Sequence, residues 1–237
     1  MNHMKVLIIP DIHLKPDVIQ SAMAKMSTHK YDKAVFLGDF VDDWGQGRNI
    51  GLYDDTFDTL DEFLTTYPDS LVCYGNHDVS YVWDKLESSF SAYAYATVNA
   101  RLEELYKKHG KDRFQFIHKI DNVLFSHAGL TRGFLHEIMK CDISTPIDEI
   151  IRSVNELPGN VLWNDASPIW ARPEDGYAYY SRGLLQVVGH TPVEKVRYDE
   201  DKHLLMTDTF STYCNGSPYG NRKFTWVDTD TKKWGST

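Results

Sequence analysis

Four short blocks of this chain hold residue types that bind metal ions: Asp11-Ile12-His13, Gly38-Asp39, Gly75-Asn76-His77-Asp78 and Gly189-His190-Thr191-Pro192. The first three directly follow apolar runs. Burial favours apolar side chains and leaves charged ones outside. Buried strands that each run into carboxylate, amide or imidazole groups therefore point to one shared site. Ligands of open α/β sheets gather at the C-terminal ends of the strands. Asp11 and His13 are two residues apart on an extended segment, so their side chains point the same way and can hold one ion together. Asp39 follows a glycine that lets the backbone turn sharply, and its two oxygens can bridge two ions. Asn76 offers an amide oxygen. His127, after the run Val123-Leu124-Phe125, and His190 each offer an imidazole. Mixed oxygen and imidazole ligation suits Mn²⁺, Fe, Zn²⁺ or Co²⁺ better than Ca²⁺.

These residues need a scaffold of strands. Val6 to Pro10, Ala34 to Leu37 and Leu71 to Tyr74 read as buried strands. Between them, a helix opens at Pro16 and runs to about Ser27, a Gly-rich loop spans Trp44 to Gly51, and a second helix covers Thr56 to Thr65. That β-α-β-α-β order predicts a parallel sheet. A long helix follows from about Ala92 to His109, with Gly110 as its C-cap. Phe114 to Ile120 and Val123 to Ser126 read as a hairpin turning at Asp121-Asn122. Ser144-Thr145-Pro146 opens a further helix that ends near Leu157. Leu184 to Val188 leads into Gly189-His190, and Val193 to Tyr198, His203 to Thr207 and Phe224 to Val227 read as antiparallel strands. The expectation is one domain over residues 1–237 with two sheets.

Composition narrows the function. The chain has 237 residues, 42% hydrophobic and 25% charged, as a soluble globular protein has, and a net charge of −9. That charge disfavours a broad surface for nucleic-acid phosphates. Cys73, Cys141 and Cys214 are widely spaced and odd in number, which fits reduced thiols. The start, Met1-Asn2-His3-Met4-Lys5, lacks the features of a signal peptide, and no apolar run approaches a membrane span. A cytoplasmic protein with no membrane partner is expected, with Met1 to His3 either native or added in cloning.

Together the blocks Asp11-x-His13, Gly38-Asp39-x-x-Asp42, Gly75-Asn76-His77-Asp78, Ser126-His127-Ala128-Gly129 and Gly189-His190-Thr191-Pro192 resemble the calcineurin-like metallophosphoesterases. Within that superfamily they are most similar to the serine/threonine phosphoprotein phosphatase branch of bacteria and bacteriophages. The resemblance implies a four-layer α/β/β/α sandwich with two mixed sheets and two divalent ions, Mn²⁺ foremost, with Fe, Zn²⁺, Co²⁺ or Ni²⁺ as alternatives. It assigns Asp11, His13 and Asp39 to the first ion, and Asp39, Asn76, His127 and His190 to the second. Many relatives carry a second His in the last block as a further ligand of the first ion. Here that place is Pro192, so the first ion would carry more water.

The activity implied is hydrolysis of phosphate esters by a hydroxide that bridges the ions and attacks phosphorus in line. His77 would protonate the leaving oxygen, oriented and kept protonated by Asp42. One departure stands out. Relatives usually carry a phosphate-clamping Arg where this chain has Asp43. Arg48, in the Gly-rich loop, is one replacement. Arg172, in Ile169-Trp170-Ala171-Arg172, fits a second family arginine, with Arg182 as its competitor. Trp44, Tyr53, Tyr177, Tyr179 and Tyr180 either line a substrate groove or pack, and packing is the expectation for most of them. The segment Thr209 to Asn221 either covers the site or merely connects strands. The substrate expected is a phosphomonoester, in particular a phosphoprotein. The alternatives are a nucleotide such as a dinucleoside polyphosphate or cyclic phosphodiester, and a scaffold without catalysis. The complete ligand set argues against the last.

Overall fold

Alternating buried strands and one-sided helices build the first half of the chain, and a computed structural model describes residues 4–142 and 144–237. Met1 to His3 lie outside the described residues. β1 (Lys5–Ile9), α1 (Pro16–Met26), β2 (Lys33–Phe36), α2 (Ile50–Thr66) and β3 (Leu71–Cys73) follow the expected order. α1 starts at a proline, whose missing N–H would have had no partner there, and buries Val18, Ile19, Ala22 and Met26 along one stripe. α2 buries Tyr53, Phe57, Leu60 and Phe63 in the same manner. α3 (Asn76–Val82) and α4 (Tyr95–His109) come next, and β4 (Phe114–Gln115) completes a parallel run β1-β2-β3-β4. Leu7, Ile9, Phe36 and Val72 on the outer face pack against these helices.

The second half builds a facing sheet. β5 (Ile117–Ile120) and β6 (Val123–Ser126) form a hairpin, followed by α5 (Ile147–Asn155), α6 (Gly159–Leu162), β7 (Leu185–Val188), β8 (Arg197–Asp199) and β9 (Leu204–Met206). The sheet order is β5-β6-β7-β9-β8, with β6, β7 and β9 parallel to one another. β10 (Thr225–Asp228) and β11 (Trp234–Ser236) then return to the first sheet, β10 lying antiparallel to β1. Val6, Ile8, Val35, Leu37 and Cys73 meet Val123, Phe125, Leu185, Val187 and Leu205 in a buried layer between the sheets. The outer face of the second sheet, through Ile117 and Leu124, packs against Ile150 and Val154 of α5 and Leu162 of α6. The result is an α/β fold of two mixed sheets with helices outside both.

Several elements differ from the expectations. α2 starts at Ile50 and absorbs the end of the Gly-rich loop, because Tyr53 and Thr56 are buried and extend its inward stripe. α3, only seven residues, was not expected; it begins within the block Gly75-Asn76-His77-Asp78. The run Phe114 to Ile120 divides at Phe116, with β4 on the first sheet and β5 on the second. Val193 to Tyr198 contributes only Arg197–Asp199, and β10 leaves its expected neighbours for β1. β11 is short, mostly exposed and at the sheet edge, where hydrophobic pattern carries little signal.

Candidate metal centre

The C-terminal ends of β1, β2 and β3 on one sheet, and of β6, β7 and β9 on the other, converge on one edge of the sandwich. Asp11, Asp39, Asn76, His127 and His190 are all at most 5% exposed there. The chain bends sharply to aim them. His13, Asp39, Asp42 and His190 have φ of 45°, 52°, 61° and 55°, a left-handed region that costs a non-glycine residue about 1–3 kcal/mol and is concentrated at functional sites. Two glycines make room. A Cβ on Gly75 would strike the Asp39 carboxylate, and one on Gly189 would strike that of Asp11.

Hydrogen bonds fix which ring atom faces the centre. Nδ1 of His127 donates to Leu37 O (2.8 Å), leaving Nε2 at 2.9 Å from Asn76 Oδ1, 3.0 Å from His190 Nδ1 and 3.3 Å from Asp39 Oδ2. Nδ1 of His13 donates to Asp42 O (2.8 Å), leaving Nε2 at 3.8 Å from Asp39 Oδ2 and 4.0 Å from Asp11 Oδ2. Both Asp11 oxygens accept the His190 N–H, at 3.0 and 3.1 Å. Glu87, which the sequence reading missed, accepts Asn76 Nδ2–H at 3.2 Å and so turns the amide oxygen inward.

Among the described residues, two triads of donor atoms are compact enough for an ion: Asp39 with His127 and His190, and Asp39 with His13 and His77. Asp39 belongs to both. The second triad holds His77 where the sequence reading has Asp11. Nδ1 of His77 is committed to Asp42 Oδ2 at 3.0 Å, whereas the two Asp11 oxygens share a single backbone N–H and keep further lone pairs, which leaves Asp11 a candidate donor beside His13.

The electrostatics have the same meaning. Burial lifts the Asp11 carboxyl well above its usual range, and Asp208 adds to it. Burial also resists the charge on Asp39, but His127, His77 and His13 outweigh it and hold its carboxyl far below the usual range. Burial, followed by His127 and Arg172, keeps His190 neutral and able to donate a lone pair, and its Nε2 is buried without a hydrogen-bond partner. Crowded carboxylates and imidazoles of this kind are what divalent cations neutralise, and the donor set fits Mn²⁺, Fe, Zn²⁺ or Co²⁺.

Beside the centre lies a cleft of about 180 Å³, lined among others by His13, Asp43, Trp44, His77, Trp170, Arg172 and Thr212. Burial works against a charge on His77, but Asp39 and the bond to Asp42 raise its pKa to about 9. Asp42 in turn accepts the hydroxyls of Tyr53 (3.2 Å) and Tyr81. Of the three arginines, only Arg172 lines the cleft, with Nη1 donating to His190 O at 3.3 Å. Arg48 is exposed and stacks over Tyr93, and Arg182 bonds Thr145 O beside a separate pocket. Neither reaches the cleft in this structure.

Asp43 is not a bare negative charge. Lys15 Nζ sits 3.2 Å from its Oδ2, and Thr212 Oγ1 donates to its Oδ1 at 3.1 Å. Ser211 and Thr212 thus bring the segment Thr209 to Asn221 to the rim. Of the aromatic residues, Trp44 lines the cleft, while Tyr179 and Tyr180 are buried in the packing. Asp78 was quoted in its motif but given no task. Its carboxylate accepts N–H bonds from Asp39 (2.7 Å), Phe40 (2.8 Å) and Gly75 (2.9 Å), tying the ends of β2 and β3 together.

Fold and centre define a metal-dependent phosphoesterase. The calcineurin-like phosphoesterase profile matches residues 4–215, and the chain belongs to that family. No curated protein sequence matches it. A cold-active protein-tyrosine phosphatase of a psychrophilic Shewanella species superposes with a TM-score of 0.58 at 17% identity, over 99% of this chain and 80% of that one. An archaeal phosphodiesterase (TM-score 0.46, 12% identity, 99% of both chains) and a metallophosphoesterase from Sphaerobacter thermophilus (0.46, 14%, 100% of this chain and 89% of that) are also similar. At such identities the likeness to the phosphatase speaks to the fold alone.

Proposed function

We propose that this phosphoesterase is a phosphomonoesterase with two divalent ions, Mn²⁺ foremost, that acts on phosphoproteins. The observation that carries the reading is the His77–Asp42 pair at the cleft. Asp42 takes Nδ1 of His77, so Nε2 is left for the leaving oxygen. Ions held by Asp11, His13, Asp39, Asn76, His127 and His190 would supply hydroxide at neutral pH and neutralise phosphate oxygens. Asp39 serves both ions. His77 gives its proton to the departing alkoxide, and Asp42 keeps that proton on the ring until then. Arg172, which lines the cleft, would meet the phosphate with a planar pair of donors.

Monoesters are favoured over dinucleoside polyphosphates by charge. Arg172 lines the cleft together with Asp39, Asp42 and Glu87, while Asp43 is paired with Lys15. A single phosphoryl group suits that balance better than a chain of several. The unpaired thiols Cys73, Cys141 and Cys214 fit a reducing cytoplasm. Because a tyrosine phosphatase shares the fold, the test includes all three phosphorylated residues. Phosphoserine, phosphothreonine and phosphotyrosine peptides, a phosphodiester and diadenosine tetraphosphate are compared with Mn²⁺ present. Monoesters should be cleaved with the highest kcat/KM. Faster cleavage of the diester or the dinucleotide would overturn the assignment.

A further inference from the structure

Five of the six converging strand ends deliver groups already discussed. The sixth, after β9, delivers Asp208. Its place is set beside β7: Thr207 N–H donates to Val188 O at 2.9 Å and Val193 N–H to Asp208 O at 2.8 Å, so the segment after β9 runs along the one after β7 that carries His190. His190 in turn touches Asp11 through its N–H. Asp208 is fully buried. Its Oδ1 accepts the N–H groups of Phe210 and Ser211, both at 3.1 Å, and so shapes the start of the rim loop. Its Oδ2 is buried and has no hydrogen-bond partner among the described residues.

A buried carboxylate with an idle oxygen is costly unless a cation or donor meets it. Neighbouring cations are engaged elsewhere. Lys15 Nζ bonds His13 O at 3.0 Å and Asp43 at 3.2 Å, and Arg222 pairs with Asp17 at 2.9 Å. Among charged groups, Asp208 acts most strongly on Asp11, and it also acts on His13 and Lys15. Both expected ligands of the first ion that lie on β1's end therefore feel this carboxylate.

We propose that Asp208 belongs to the metal centre, its idle Oδ2 binding the first ion or that ion's water. The proposal rests on the two-ion reading above. It explains why a carboxylate is buried beside another carboxylate: the pair is a binding site, and only the ion makes it stable.

Asp208→Asn isolates the claim, because the amide keeps an oxygen for Phe210 and Ser211 but loses the charge at Oδ2. Chelator-stripped wild type and variant are titrated with Mn²⁺ by calorimetry, with Mn²⁺ EPR to distinguish coupled pairs from single ions. Wild type should bind two ions. The variant should bind one with unchanged affinity and the other at least about tenfold more weakly, since loss of an ion's supporting group typically costs 10–100-fold. In chelator, its urea midpoint should equal or exceed that of wild type, because a repulsive buried charge is gone. Two ions of wild-type affinity in the variant would overturn the proposal. So would a lower midpoint or loss of folding in chelator, because capping of the rim loop would then be the whole role of Asp208. Wild type that binds fewer than two ions would overturn the two-ion reading itself, and this role with it.

Discussion

At the scale of residues, Asp39 is the most exposed point of the argument. It belongs to both donor triads. Asp39→Asn should abolish hydrolysis and weaken both ions; metal analysis that finds one ion intact would contradict the shared role. His77→Ala should keep both ions. It should slow a phosphoserine peptide far more than an aryl phosphate, whose leaving oxygen needs little protonation. Loss of a general acid typically costs ~10²–10⁴-fold, and equal losses on the two substrates would remove His77 from that role. Arg172→Lys should raise KM and lower kcat with metal content unchanged, since Lys cannot reproduce a bidentate guanidinium. Asp43 invites replacement by the family's arginine, but the structure argues against it. An arginine there would face Lys15, whose Nζ is 3.2 Å from the present carboxylate. Asp43→Arg should lower thermal stability and leave phosphate binding no better; a gain in both would show that Lys15 turns away.

At the scale of elements, the ends of β2 and β3 are joined by Asp78, whose carboxylate takes three buried N–H groups. Burial, assisted by Asp39, lifts its pKa to about 7 against the pull of those bonds. Asp78→Ala would orphan all three donors, at about 1–3 kcal/mol for each. Urea unfolding should show a loss of about 3 kcal/mol or more, and a shift under about 1 kcal/mol would mean that water or another chain segment replaces the carboxylate. Sequence periodicity placed β1, α1, β2, β3, α4, β6 and β7 within a few residues of where they lie. It failed where polar groups or a change of sheet interrupt the pattern. α3 has seven residues, and its start, Asn76-His77-Asp78, is polar and taken up by hydrogen bonds to other segments. β4 and β5 read as one run because nothing local marks the step at Phe116 from one sheet to the other.

For the whole molecule, the contact between the two sheets carries its own pH dependence. His118 of β5 is buried and donates Nε2–H to Val72 O of β3 at 3.0 Å, and burial pushes its pKa down to about 4. The folded value lies below the unfolded one of about 6.5. Its contribution is therefore complete above pH 6.5 and is lost as pH falls from there towards 4. This group should cost about 2 kcal/mol of stability between pH 7 and pH 5. His118→Gln keeps a donor but does not titrate, so in chelator its stability should fall less than that of wild type over this interval; equal slopes would assign the acid sensitivity elsewhere. By itself the sequence determined which strand ends carry carboxylate, amide and imidazole groups, because each block is local and follows its own buried run. It also determined the fold class, through alternation of buried strands and amphipathic helices. Only the tertiary structure decided which charges face the centre. Asp11 meets the N–H of His190 across 179 residues of chain, and Arg172 rather than Arg48 or Arg182 reaches the cleft. Asp43 is paired with Lys15, and the Val193 N–H ties Asp208 O to the segment after β7. Those neighbours come from separate strands and loops, and they meet only because two sheets pack face to face with their C-terminal ends at one edge.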